Sequence, residues 1–165
     1  MLKSCVAIFV TASLLCPAPL AQDDWPFASC KVDISSTDSM ADVIFKMACG
    51  KIDKPKIQMK RMKLDEFYSW MSSHLTDPFK IHELLYGNNI IWAATQRNST
   101  TGVYEIRYWG DISDTTLAHE IMHIVLWELF PNDISFVKDE TLVWRLTNHF
   151  IQSQTYKAWI RAKGL

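Results

Sequence analysis

The sequence predicts a small α+β domain, and three observations carry that expectation. Apolar residues recur at helical spacing in four stretches, three others read as strands, one by alternation and two by β-rich composition, and the latter two are close enough in sequence to form a hairpin. Of the 165 residues, 48% are hydrophobic and 21% are charged, which suits one ordinary globular domain and excludes disordered, collagenous and coiled-coil chains. A formal net charge of −1 lacks the basic surplus that phosphate binding needs, so nucleic acid is not an expected partner. Five glycines against seven tryptophans point to a core filled by aromatic bulk.

The first stretch reads as an export signal. Met1-Leu2-Lys3 is a short positive start, Ser4 to Cys16 is an uncharged apolar run, and Pro17-Ala18-Pro19-Leu20-Ala21 precedes the acidic Gln22-Asp23-Asp24. The apolar run, about 13 residues, is too short to cross a hydrocarbon core of about 30 Å, and no later run is longer. The expectation is a leader over 1–21, a single domain over 22–165, no membrane span in the mature chain, and a periplasmic or secreted location. Removing the leader leaves two cysteines, Cys30 and Cys49. In an oxidising compartment they are expected to form a disulfide that pins the N-terminal segment, worth roughly 3 kcal/mol for a loop of about 20 residues.

Each element follows from local pattern. Ser36-Thr37-Asp38, then Met40, Val43, Ile44 and Met47, predict a first helix that stops at Gly50. Within 54–63, Ile57 and Met59 alternate with Lys56, Gln58 and Lys60, which predicts a half-buried strand whose lysines protect a sheet edge. Leu64, Phe67, Trp70 and Met71 share a helical face, predicting a helix over 64–74 that ends before Asp77-Pro78. Phe79 to Tyr86 is ambiguous and closes on the turn signal Gly87-Asn88-Asn89. The runs 90–95 and 103–109 should pair as an antiparallel hairpin. Asp114 is placed to cap a helix from Thr115 to about Phe130, where Pro131 stops it, and a further helix is expected over 138–150.

The chemistry concentrates in His119-Glu120-Ile121-Met122-His123 on the helix after the hairpin. Residues four apart lie on one helical face, so two imidazoles can address one ion, and zinc accepts such nitrogens at about 2.0–2.1 Å. Glu120 is rotated by roughly 100° from His119, which directs it away from ligation and towards a water in the open coordination position. A zinc-held water has its pKa lowered towards ~7, and a nearby carboxylate can take its proton as it attacks a carbonyl. The neighbours of this motif, from Leu117 to Phe130, are apolar almost all round the helix, where unpartnered histidines would be costly.

Thr116-Leu117-Ala118-His119-Glu120-Ile121-Met122-His123 resembles the active-site helix of the zincin metallopeptidases, in particular the small gluzincin-type peptidases related to the phage-repressor-cleaving family. The resemblance covers eight residues. It implies a zincin-like domain in which a hairpin or sheet packs on the motif helix and the next helix carries a ligand. It also implies a Zn2+ cofactor and a peptide or protein substrate lying along strand 103–109 as a sheet edge. Leu126 and Leu129 stand where the metzincin extension has Gly and His, which excludes that subtype. Gluzincins place their third ligand near the start of the following helix, a position resembling Glu140; Asp133, Asp139 and His149 are the alternatives, while Glu128 lies about 180° from His119.

Trp144 occupies the place where thermolysin-like chains have an Asp, leaving the partner of the imidazoles unassigned. His149 is the candidate oxyanion donor, with Tyr156, Tyr108 and Tyr104 as others. The expected function is therefore an exported monomeric zinc metallopeptidase with ligands His119, His123 and Glu140 and general base Glu120. The rival expectations are a zinc-stabilised binding or inhibitory module without turnover and a purely structural exported domain.

Overall fold

A computed structural model of the chain describes residues 31–74 and 92–165. The leader over 1–21, Cys30, the ambiguous run 79–86 and the turn after it lie outside the described residues, so the leader and the Cys30–Cys49 pairing stand as expectations. The elements are α1 (Met40–Met47), β1 (Ile57–Met62), α2 (Leu64–His74), β2 (Ala93–Arg97), β3 (Tyr104–Trp109), α3 (Asp114–Leu129), α4 (Ile134–Lys138), α5 (Glu140–Gln152) and α6 (Gln154–Lys163). The protein is α+β. The described residues divide into two compact units, one within 55–116 and the other formed by 31–54 together with 117–165.

The first unit is built on a three-stranded sheet in the order β1-β3-β2. β2 and β3 form the expected antiparallel hairpin, with Ala93 opposite Tyr108 and Arg97 opposite Tyr104. Asn98 shapes the loop: its side-chain oxygen accepts from the main-chain N–H groups of Thr100 and Thr101, both at 3.0 Å. Gly102 follows at φ +69°, the left-handed conformation that glycine adopts without strain. β1 adds to the other side of β3 in parallel, with Ile57 beside Tyr104 and Met62 beside Trp109.

That pairing corrects one expectation. Strand 103–109 is not a sheet edge: β3 has a hydrogen-bonded neighbour on each side, so its main chain cannot take on a further strand. β1 is at the edge of the sheet among the described residues, as its lysine pattern suggests, but the expected alternation fails because Met59 is exposed together with Gln58, Lys60 and Arg61. α2 follows β1 and buries Phe67, Trp70 and Met71 against Ala94, with Met62 and Trp109 packed beside them. Trp109 also stacks on Trp92, ring centres 4.4 Å apart.

The second unit is helical. α1 starts one residue later than the Ser36-Thr37-Asp38 signal suggests, because Ser39 and Asp42 complete a reciprocal cap: the Ser39 hydroxyl accepts from the Asp42 N–H, and Asp42 accepts from the Ser39 N–H at 2.8 Å. Asp38 is engaged elsewhere, with Lys46 at 2.7 Å. Cys49 and Gly50, at φ 55° and 74°, turn the chain out of the helix.

α6 packs against both α5 and α1, and Trp159 donates its indole N–H to the main-chain oxygen of Asp38 at 2.9 Å. α3 is buried from Ala118 to Leu126 without interruption, so it forms the centre of this unit. Among the described residues no helix is long and apolar enough to cross a membrane.

Candidate metal centre

α3 starts at Asp114 itself, and its cap is Ser113 rather than Asp114, since the Ser113 hydroxyl accepts from the Thr116 N–H at 3.1 Å. One turn further on, His119 and His123 project from the same face, both completely buried. The chain leaves α3 at Pro131 and makes the five-residue helix α4, capped by Asp133, whose carboxylate accepts from the Ser135 N–H at 3.0 Å. Phe136 stacks on Phe130 with ring centres 4.5 Å apart, which holds α4 against the end of α3. Asp139 then caps α5 by accepting from the Leu142 N–H at 3.0 Å, and Glu140 is the first residue of that helix. Asp133 and Asp139, the rival ligands, are thus committed to helix caps.

This path brings His119, His123 and Glu140 together. The two Nε2 atoms are 3.1 Å apart, His119 Nε2 is 3.2 Å from Glu140 Oε2, and His123 Nε2 is 3.5 Å from Glu140 Oε1. Donors held at about 2.0–2.1 Å by a tetrahedral ion stand roughly 3.3–3.4 Å from one another, so the three spacings match one shared centre. Both Glu140 oxygens are shielded from solvent, and neither accepts a hydrogen bond among the described residues despite its nearness to an imidazole. The three groups converge on a common point, with the two imidazole nitrogens within hydrogen-bonding reach of each other. Buried His119 and His123 with Glu140 lie close enough to bind a metal ion.

The surroundings of the two imidazoles differ. His123 Nδ1 donates to the main-chain oxygen of Val137 at 2.9 Å, which places the proton on Nδ1 and leaves the Nε2 lone pair facing the cluster. Burial, reinforced by the neighbouring His119, pushes the His123 pKa well below the ordinary histidine value, so this ring is neutral and ready to ligate. His119 Nδ1 is buried and has no hydrogen-bond partner among the described residues. Its ring instead lies against Trp144, centre to centre 4.3 Å. Neither Val137 nor Trp144 was assigned this part by the sequence; the Trp144 contact is readable in hindsight as one turn beyond Glu140, whereas a main-chain carbonyl carries no side-chain signal.

Glu120 is on α3 beside His119 and is 1% exposed. His149 is not brought to the cluster. It lies nine residues beyond Glu140 in the last turn of α5, roughly 13 Å along the axis and half a turn around it, where burial lowers its pKa. Of the tyrosines named as donors, two belong to the sheet unit and one to the helical unit. Tyr104 is wholly buried in the sheet unit under Arg97, Tyr108 lies on β3 in that unit, and Tyr156 packs between Phe150 and Trp159.

Comparison with models of protein families, with curated proteins and with solved structures finds no match for the chain. Fold and site together define an α+β protein with a buried His-His-Glu cluster able to hold a metal ion.

Proposed function

We propose that the protein is an exported zinc metallopeptidase acting on peptide or protein substrates. The observation that carries this reading is the convergence of His119, His123 and Glu140 at 3.1–3.5 Å with Glu120 buried on the same helix. Two imidazoles and a carboxylate form a donor set suited to zinc, and three protein donors leave a fourth position open for water or a substrate carbonyl. Bound there, zinc supplies Lewis acidity that polarises a carbonyl and lowers the pKa of water towards ~7.

The remaining work belongs to the chain. His123 is held neutral and oriented by the Val137 carbonyl. Glu140 brings the negative charge that offsets part of the ion's, from the first turn of a helix capped by Asp139. Glu120 accepts the proton of the attacking water and delivers it to the leaving amine, so its protonation state cycles within one turnover. The leader expected over 1–21 and the expected Cys30–Cys49 bridge fit an exported enzyme.

The test is Glu120→Gln. The variant should retain one equivalent of zinc and lose roughly 10²–10⁴-fold in kcat against a mixed peptide library. Full activity in that variant removes the mechanism. Stoichiometric zinc with no cleavage by the wild-type chain favours a zinc-stabilised module instead.

A further inference from the structure

Metal-binding histidines almost always donate their second ring N–H to an oxygen acceptor, which fixes the ring and raises its basicity. His123 does so through Val137, but His119 has no such acceptor among the described residues. Its ring instead packs against that of Trp144, at 4.3 Å between ring centres and 39° between planes. Trp144 and Glu140 are one helical turn apart on α5, so the helix that supplies the carboxylate also supplies the indole.

The geometry points to Trp144 as a positioning residue for His119, its indole packed against a ring that no hydrogen bond at Nδ1 orients among the described residues. An imidazole that gives its lone pair to a cation becomes electron-poor, and the π-face of an indole is the most electron-rich apolar surface a protein offers. Packing against that face limits rotation of the His119 ring and favours its metal-bound form over its free form. The two histidines are thus held by different means, one by a hydrogen bond to the main chain and one by an aromatic face.

This inference rests on the zinc reading, and its experiment separates the two. Zinc affinity of the full chain is measured by competition with a chromophoric chelator for the wild type, Trp144→Phe and Trp144→Leu. Trp144 is only half-buried, so both variants are expected to fold, and circular dichroism checks that they do. Trp144→Leu should weaken zinc binding on the order of 10-fold, while Trp144→Phe stays within about threefold of the wild type.

Equal affinity in wild type and Trp144→Leu overturns the inference while leaving the metallopeptidase reading intact. Equal loss in both variants also overturns it, because the aromatic face would then not be what matters. No zinc binding by the wild-type chain sinks both. A measurement without substitution is histidine side-chain NMR of the zinc-loaded wild type. It should show a downfield, hydrogen-bonded Nδ1–H for His123 and none for His119; matching downfield signals from both rings overturn the inference.

Discussion

His123 donates through Nδ1 to the main-chain oxygen of Val137, 2.9 Å away, so a ring of the candidate metal cluster on α3 is oriented by the backbone of the short helix α4. Val137 is 1% exposed, and its side chain anchors α4. Val137→Ala should cost about 1.5 kcal/mol for two buried methyl-sized groups and, by letting α4 shift, weaken zinc binding several-fold. Ile134→Ser, on the exposed side of the same helix, should leave both unchanged. Urea unfolding and chelator competition on the two variants check this pair of outcomes.

The three donors and His149 should separate cleanly in metal content. Alanine at His119, His123 or Glu140 removes one of three ligands and should reduce bound zinc, measured by atomic emission, to well below one equivalent. His149→Ala should keep full zinc and change peptide turnover by less than about threefold, since His149 lies on the far side of α5 from Glu140. A drop in kcat of about 100-fold or more for His149→Ala would restore it to the reaction as a charge-stabilising group.

Acid sensitivity should have one identifiable source in α1. Burial opposes ionisation of Asp42, but hydrogen bonds from Lys54, then from the Ser39 side chain and main chain, outweigh it and hold the pKa down at about 2. A carboxylate depressed in the folded state binds fewer protons there than when unfolded, so stability rises with pH across the gap. The contribution is full above the ordinary value of 3.8 and is lost as pH falls towards 2. Asp42→Asn should flatten the stability profile in that window, read from thermal melts at stepped pH. Ser39→Ala should cost about 1 kcal/mol at neutral pH through loss of the cap.

Much of the site was legible because helical geometry converts spacing into position. His119 and His123 are four apart on a strongly apolar helix, and that alone places two imidazoles side by side. Glu140 came instead from the resemblance to gluzincins, which place a ligand near the start of the next helix. The same geometry also argues against His149, since nine residues from Glu140 amount to half a turn, a signal present in the sequence. α4 was not legible: five residues are too few for a periodicity to declare itself, and its part in the site is played by a carbonyl that every residue type possesses. Nor could local pattern show that β1 joins β3, because alternation reveals a strand's faces but not its neighbour, and so β3 was expected at an edge when it lies in the middle.

The donor set and the sheet differ in how far the chain must travel to build them. His119, His123 and Glu140 fall within one short stretch, bridged by α4 and two helix caps, so little loop-closure entropy opposes their meeting. The parallel pairing of Ile57 with Tyr104 joins segments separated by α2 and the whole hairpin strand β2. Contacts local in sequence form sooner than distant ones. The candidate cluster is therefore assembled by contacts local in sequence, whereas the sheet closes only when β1 finds β3 across α2 and β2.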